Sequence, residues 1–165
     1  MVETSVGWPG GGISLNRPKK RKAVPKNLLG ARNGKSTLEY RNKQVVFLQG
    51  EAASSIFYIE QGGVKLTVKS KRGKTAVLAI LEQGDFFGEG CLVPSTLRMS
   101  TATVLRTSII ASIGGSAFTR RVRKDAVLSE TFMAYLVARV GRAEEGYADL
   151  VLNSSERRLA LMLCR

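Results

Sequence analysis

The sequence predicts a mainly β fold, a jelly roll, followed by C-terminal helices. Three observations support this fold class. Short apolar segments recur at close spacing between turn residues from residue 37 to about residue 113. Apolar and polar residues alternate strictly from Val64 to Lys69, as expected of a strand with one buried face. After Gly115 the apolar period becomes helical.

The N-terminal segment, residues 1–36, is predicted to be a disordered basic arm. It is rich in Gly, Pro, Lys and Asn and has no apolar period. Residues 1–44 hold ten Lys and Arg and two acidic residues, a net charge of +8 out of +13 for the 165-residue chain. The basic run Pro18–Lys22 is typical of nuclear localisation signals and of nucleic-acid-binding arms. This charge favours polyanionic partners.

The next domain, residues 37–128, is predicted to consist mainly of seven short strands and their turns. Gln61–Gly63 and Lys71–Gly73 are each expected to form a tight hairpin turn. The strands are expected at Thr37–Tyr40, Gln44–Leu48, Ile56–Glu60, Val64–Ser70, Lys74–Leu81, Ser100–Leu105 and Ser108–Ile113.

Two helices are predicted after the strands. Ser116 is a candidate N-cap for a short helix that ends near Lys124. The longer helix, residues 129–152, carries an apolar heptad seam, which predicts pairing of two copies in a homodimer. Asn153–Glu156 is interpreted as a helix break and a new N-cap, so that residues 153–165 begin a further domain. The predicted dimer contacts are Met133, Leu136, Val140, Tyr147 and Leu150.

Composition excludes several classes of protein. The chain has no histidine, so a Ser-His-Asp triad, a Cys-His dyad and a His-ligated metal are excluded. Its two cysteines, Cys91 and Cys164, are far apart, which excludes a disulfide scaffold, a cysteine-based zinc site and a four-cysteine iron–sulfur cluster. Apolar runs such as Ala76–Leu81 are too short to span a membrane. We therefore expect no metal, no membrane segment and no enzymatic activity.

The most informative motif is Gly84–Leu92, in which two aromatic residues precede a Gly-Glu-Gly sequence. Gly88 would let the backbone approach a ligand closely. Backbone N–H groups at the start of a short helix can hold a phosphate. The Glu89 carboxylate can accept a hydrogen bond from a sugar hydroxyl. The motif therefore predicts contact with a sugar phosphate.

In its context this motif resembles the cyclic-nucleotide-binding domain of the Crp/Fnr family of bacterial transcription regulators. The resemblance covers residues 37–152 and follows Phe47–Glu51, Phe57–Leu66, Gly84–Glu89, the strand Ser100–Val104 and the long helix. It implies an eight-stranded β-roll that holds cyclic AMP or a related small ligand. It also implies a phosphate-binding cassette between Gly88 and about Thr101. The ligand-binding residues expected from it are Gly88, Glu89, Gly90, Cys91, Arg98, Met99, Ser100 and Thr101.

Within this cassette the family's glutamate, which matches Glu89, binds the ribose 2′-hydroxyl, and its arginine pairs with the cyclic phosphate. Counted forward from Glu89, the arginine position falls at Met99 or nearby. Counted back from the following strand, it falls at Ser100. Arg98 lies one or two residues earlier and is the nearest cation.

The resemblance also implies a parallel dimer along the long helix, followed by a helix-turn-helix domain. Residues 156–165 match only the first helix of that domain, so we expect DNA binding only where a complete helix-turn-helix domain is present. The predicted function is the effector-sensing and dimerisation part of a cytoplasmic Crp/Fnr-type regulator. Two alternatives stay open: a ligand-free β-roll that serves as a dimer scaffold or interaction module, and nucleic-acid binding through the basic arm.

Overall fold

The computed structural model describes the backbone of residues 35–163 and the side chains of residues 35–147. The predicted arm, residues 1–36, therefore lies outside the described residues except for Lys35 and Ser36, which begin the first strand. The chain forms strands β1 (Lys35–Tyr40), β2 (Val45–Phe47), β3 (Ser55–Lys69), β4 (Thr75–Glu82), β5 (Phe86–Phe87) and β6 (Thr101–Gly114), a 3₁₀ turn (Glu89–Leu92), and helices α1 (Gly115–Lys124) and α2 (Ala126–Leu163).

The strands form one antiparallel sheet in the order β1-β6-β3-β4, with β2 also paired to β6 and β5 paired to β3. The predicted mainly β fold with helices at its C-terminal end is confirmed. None of the helices in the described part of the chain is long and apolar enough to cross a membrane.

The hairpin turn predicted at Gln61–Gly63 is wrong. Strand β3 runs through these residues without reversing, and its register against β6 shifts at three points around them. Gly62 has a φ of +100°, and a Cβ at this position would overlap the hydroxyl of Ser108. The Gly63 N–H donates a hydrogen bond of 3.0 Å to that hydroxyl. The two glycines therefore bend the strand and admit a close contact with β6.

The two strands predicted at Ser100–Leu105 and Ser108–Ile113 are likewise one strand, β6. The β-roll thus contains fewer and longer strands than the sequence predicts. Strand β5 was not predicted, because two residues carry no visible period. The turn at Lys71–Gly73 is confirmed, with Gly73 at a φ of +81° and its N–H bonded to the Ser70 carbonyl.

Two core clusters lie on opposite faces of β3. Phe57 and Ile59 belong to the first cluster, inside the β-roll, whereas Ile56 and Tyr58 belong to the second, which the helices cover. Successive side chains of a strand point to opposite faces, which explains this alternation. Phe86 joins the second cluster, where its ring lies 4.9–5.9 Å from the rings of Tyr58, Phe118, Phe132 and Tyr135.

Helix α2 begins at Ala126, three residues before the predicted start, because Asp125 caps it. The Leu128 N–H donates to the Asp125 carboxylate at 3.0 Å, and the Leu128 side chain is buried. The break predicted at Asn153–Glu156 is wrong, since the helix continues to Leu163. Asn and Ser cost only a few tenths of a kcal/mol each inside a helix, roughly, and the stretch holds no proline. That residues 153–165 begin a DNA-binding domain stays a prediction.

Candidate functional site

The segment between β5 and β6 holds the predicted cassette. Gly88 precedes the 3₁₀ turn Glu89–Leu92 and has a left-handed φ of +75°. A Cβ at Gly88 would lie 2.6 Å from Nη1 of Arg98 and 3.1 Å from the ring of Phe57. A glycine is therefore required here both by the backbone conformation and by the close approach of the Arg98 guanidinium.

Arg98 is a buried cation whose side chain is 6% exposed. Its Nη1 donates to the Gly88 carbonyl at 2.9 Å, and its Nη2 donates to the Ser55 carbonyl at 2.8 Å. The guanidinium carbon lies 4.2 Å from the centroid of the Phe47 ring. Burial lowers the pKa of Arg98 from its ordinary value. Arg98 forms no ion pair with any described carboxylate, and its buried Nε–H has no hydrogen-bond partner among the described residues.

The residues that follow Arg98 differ in orientation. Met99 is 77% exposed, whereas Ser100 is buried at the edge of the β-roll. This is the alternation expected as the chain enters β6. Sequence counting placed the family's arginine position at Met99 or Ser100, but the cation inside the roll is Arg98.

A cavity of about 750 Å³ lies beside the cassette. Its polar wall includes Glu89, Arg98, Ser100, Arg139 and Arg142. Apolar side chains from β4 and the cassette complete it, among them Leu78, Ile80, Val93, Leu97 and Met99. A mainly apolar pocket with a few convergent polar groups is the usual form of a small-molecule site.

Of the eight ligand-binding residues that the sequence predicts, six line this cavity: Gly88, Glu89, Gly90, Arg98, Met99 and Ser100. Cys91 packs instead against the second core cluster, and burial raises the pKa of its thiol. The Thr101 hydroxyl accepts a hydrogen bond of 3.0 Å from the Gln49 N–H. Cys91 and Thr101 therefore contact neighbouring parts of the protein and do not line the cavity.

Helix α2 contributes side chains that the sequence did not identify. Arg139 donates to the Glu89 carboxylate at 3.1 Å and to the Phe86 carbonyl at 3.2 Å. The Tyr135 hydroxyl donates to the same carbonyl at 2.7 Å and accepts from the Phe86 N–H at 3.1 Å. Burial raises the pKa of Tyr135. These contacts tie the helix directly to the cassette.

The predicted dimer residues have different environments. Met133, Val140 and Tyr147 are exposed, at 61%, 57% and 70%, whereas Leu136 packs against the second core cluster. Val137, which lies outside the predicted heptad seam, is 67% exposed. The side chain of Leu150 lies outside the described residues. The exposed apolar face of α2 therefore consists of Met133, Val137, Val140 and Tyr147.

The described residues contain no group of three or more His, Cys, Asp or Glu side chains that could hold a metal ion.

A family model described as "Cyclic nucleotide-binding domain" matches residues 37–125, more than half of the chain. The chain belongs to this cyclic nucleotide-binding domain family.

Its relatives include bacterial regulators. The chain is 32% identical over 120 residues to an uncharacterized protein of Mycobacterium tuberculosis strain H37Rv, covering 73% of this chain and 22% of that protein. It is 27% identical over 126 residues to the cAMP-activated global transcriptional regulator CRP of Escherichia coli O157:H7, covering 76% and 60%. The chain thus spans between about a fifth and three fifths of the length of these relatives.

The fold is also that of solved regulators. The Thermus thermophilus catabolite activator protein superposes with a TM-score of 0.61 at 21% identity, covering 70% of this chain and 55% of that one. The predicted jelly roll of the cyclic-nucleotide-binding type is thereby confirmed.

Proposed function

We propose that this chain is the effector-sensing and dimerisation part of a cytoplasmic CRP/Fnr-type transcription regulator, and that its effector is a cyclic nucleotide or a related phosphodiester. One observation carries the proposal: the guanidinium of Arg98 is buried at the wall of the cavity, next to neutral carbonyls, and its Nε–H has no partner among residues 35–147, whose side chains the structure describes. A buried cation without a counter-ion is costly. A bound phosphodiester would supply the missing charge.

In this proposal the cyclic phosphate lies against Arg98 and the ribose against Glu89. Only one oxygen of the Glu89 carboxylate is engaged by Arg139, so the carboxylate retains capacity to accept a hydroxyl proton. Both side chains line one cavity and are joined through Gly88, whose carbonyl accepts from Arg98. This supports a single ligand that contacts both.

The helix α2 is proposed to transmit occupancy of the cavity. Glu89 is in contact with Arg139, so a ligand that binds Glu89 changes the contact between the cassette and α2. The same helix exposes the apolar face of Met133, Val137, Val140 and Tyr147, which a second copy would cover. Ligand binding and dimerisation would thereby be coupled.

Titration calorimetry of the full chain with cyclic AMP and cyclic GMP tests the effector. We expect binding that Arg98→Gln weakens about ten- to hundredfold, because a charge-assisted hydrogen bond contributes about 1.5–3 kcal/mol. Arg106→Gln is the matched control: Arg106 also donates to a backbone carbonyl, that of Gly62, but it does not line the cavity. Absence of any binding by the native chain would favour the alternative of a ligand-free scaffold.

A further inference from the structure

The charges that line the cavity do not balance. Three arginines, Arg98, Arg139 and Arg142, line it together with one carboxylate, that of Glu89. Arg139 and Glu89 form an ion pair and neutralise each other. Arg98 donates only to neutral carbonyls. Arg142 has no hydrogen bond or ion pair with any described residue. Within the described part of the chain, two cations of the cavity wall are therefore left without a counter-ion.

The two uncompensated cations lie on different elements. Arg98 belongs to the cassette and contacts the carbonyl of Gly88, immediately before Glu89. Arg142 belongs to α2 and follows Arg139 by three residues, which places it about 4.5 Å further along the helix axis. The Glu89–Arg139 ion pair links the same two elements. A single small anion at Arg98 leaves Arg142 uncompensated.

The wall of the cavity also offers apolar surface. Leu78 and Ile80 of β4 are 58% and 59% exposed, and Met99 of the cassette is 77% exposed. Flat aromatic rings such as nucleobases would cover these side chains and bury apolar surface. The cavity volume of about 750 Å³ lies in the upper part of the range for small-molecule sites.

We propose that the cavity takes a nucleotide with two separate anionic groups, one held by Arg98 and the other by Arg142. This inference rests on the proposed function and specifies its ligand. A cyclic dinucleotide has this chemistry, because its two phosphodiesters carry one charge each. A cyclic mononucleotide carries a single charge and occupies only the Arg98 side. Arg142 is thus the residue that decides between the two ligand classes.

Three adenine ligands separate charge from its placement: cyclic AMP with one charge, AMP with close to two charges on one phosphate at pH 8, and cyclic di-AMP with one charge on each of two phosphates. The three guanine counterparts are titrated in parallel into the full chain. We expect the cyclic dinucleotide of at least one base to bind about tenfold or more tightly than both mononucleotides of that base. Arg142→Gln should remove this advantage and weaken cyclic mononucleotide binding far less than cyclic dinucleotide binding.

Arg120→Gln is the control, because Arg120 is exposed on α1 and does not line the cavity. The inference is overturned if a cyclic mononucleotide or a linear mononucleotide binds as tightly as the dinucleotide. It is also overturned if Arg142→Gln weakens the ligand classes equally or weakens none. In each of those cases the proposed function stands. If none of the six ligands binds the native chain, the proposed function fails as well.

Discussion

Replacement of Gly88 by Ala tests the geometry of the cassette. The left-handed backbone at Gly88, with a φ of +75°, disfavours any residue with a Cβ by about 1–2 kcal/mol. The new Cβ would also lie 2.6 Å from Nη1 of Arg98, so the guanidinium must move and lose its bond to the Gly88 carbonyl. That bond contributes about 1.5–3 kcal/mol. We therefore expect Gly88→Ala to lower the free energy of unfolding by about 3–5 kcal/mol.

Gly73→Ala is the matched control. Gly73 has a similar φ of +81°, but a Cβ there would meet nothing within 4 Å. Gly73→Ala should lower the free energy of unfolding only by the cost of a Cβ on a left-handed backbone, about 1–2 kcal/mol. The unfolded chain loses the same freedom in both variants, so this effect cancels from the comparison. Urea unfolding followed by circular dichroism measures both values.

The difference between the two variants isolates the contact with Arg98. We expect Gly88→Ala to be about 2 kcal/mol less stable than Gly73→Ala and to bind cyclic nucleotides more weakly, whereas Gly73→Ala retains native affinity. Equal losses of stability in the two variants would refute the reasoning, because the guanidinium would then have no fixed position against Gly88.

Three further outcomes follow from the contacts of α2. Tyr135→Phe should lower the free energy of unfolding by about 1–3 kcal/mol, since the Phe86 N–H loses its hydroxyl partner and the Phe86 carbonyl keeps only Arg139. Tyr40→Phe should change it little, because the Tyr40 hydroxyl makes no hydrogen bond with the described residues. Because burial raises the pKa of Tyr135, the stabilisation by its hydroxyl is complete below the ordinary pKa of 10.0 and declines above it. The free energies of unfolding of the native chain and of Tyr135→Phe should therefore converge as the pH rises through that range. Asp125→Ala should destabilise the chain by about 1 kcal/mol through loss of the helix cap, and an unchanged urea midpoint would contradict the cap assignment. Val137→Glu combined with Val140→Glu should convert a dimer to monomers in analytical ultracentrifugation. A weak interface still associates at roughly tens of micromolar. A native chain that is already monomeric at that concentration would contradict dimerisation by this face.

Local sequence features predicted the main elements well. Period-two alternation in Val64–Lys69 identified a strand, and Gly73 identified a hairpin turn. Gly62 was misread, because a glycine that lets one strand bend toward its neighbour has the same local signature as a glycine in a turn. The difference lies in Ser108, which is 46 residues away in the chain and fills the space beside it.

The candidate site could be predicted only in part, because local sequence patterns do not show contacts between distant segments. Gly88 and Glu89 stand in a compact motif, and Arg98 is the nearest cation to it in sequence. Arg139 and Arg142 carry no such local signal, since they are two of several basic residues on a long helix. Their place at the cavity depends on how α2 packs against Phe86.

By itself, the sequence determined the fold class, because fold class depends on residue type and short-range spacing, and it determined the family through its resemblance to known regulators. The position of the cassette stays a prediction. Tertiary structure alone decided that Arg98 enters the roll while Met99 remains exposed, that Leu136 packs inward while Val137 faces out, and that α2 brings two arginines to the cavity wall. These are consequences of strand register and helix rotation. A shift of one residue in strand register exchanges buried and exposed side chains, and a rotation of the helix changes which of its side chains face the core. Only the packing of distant segments fixes the register and the rotation.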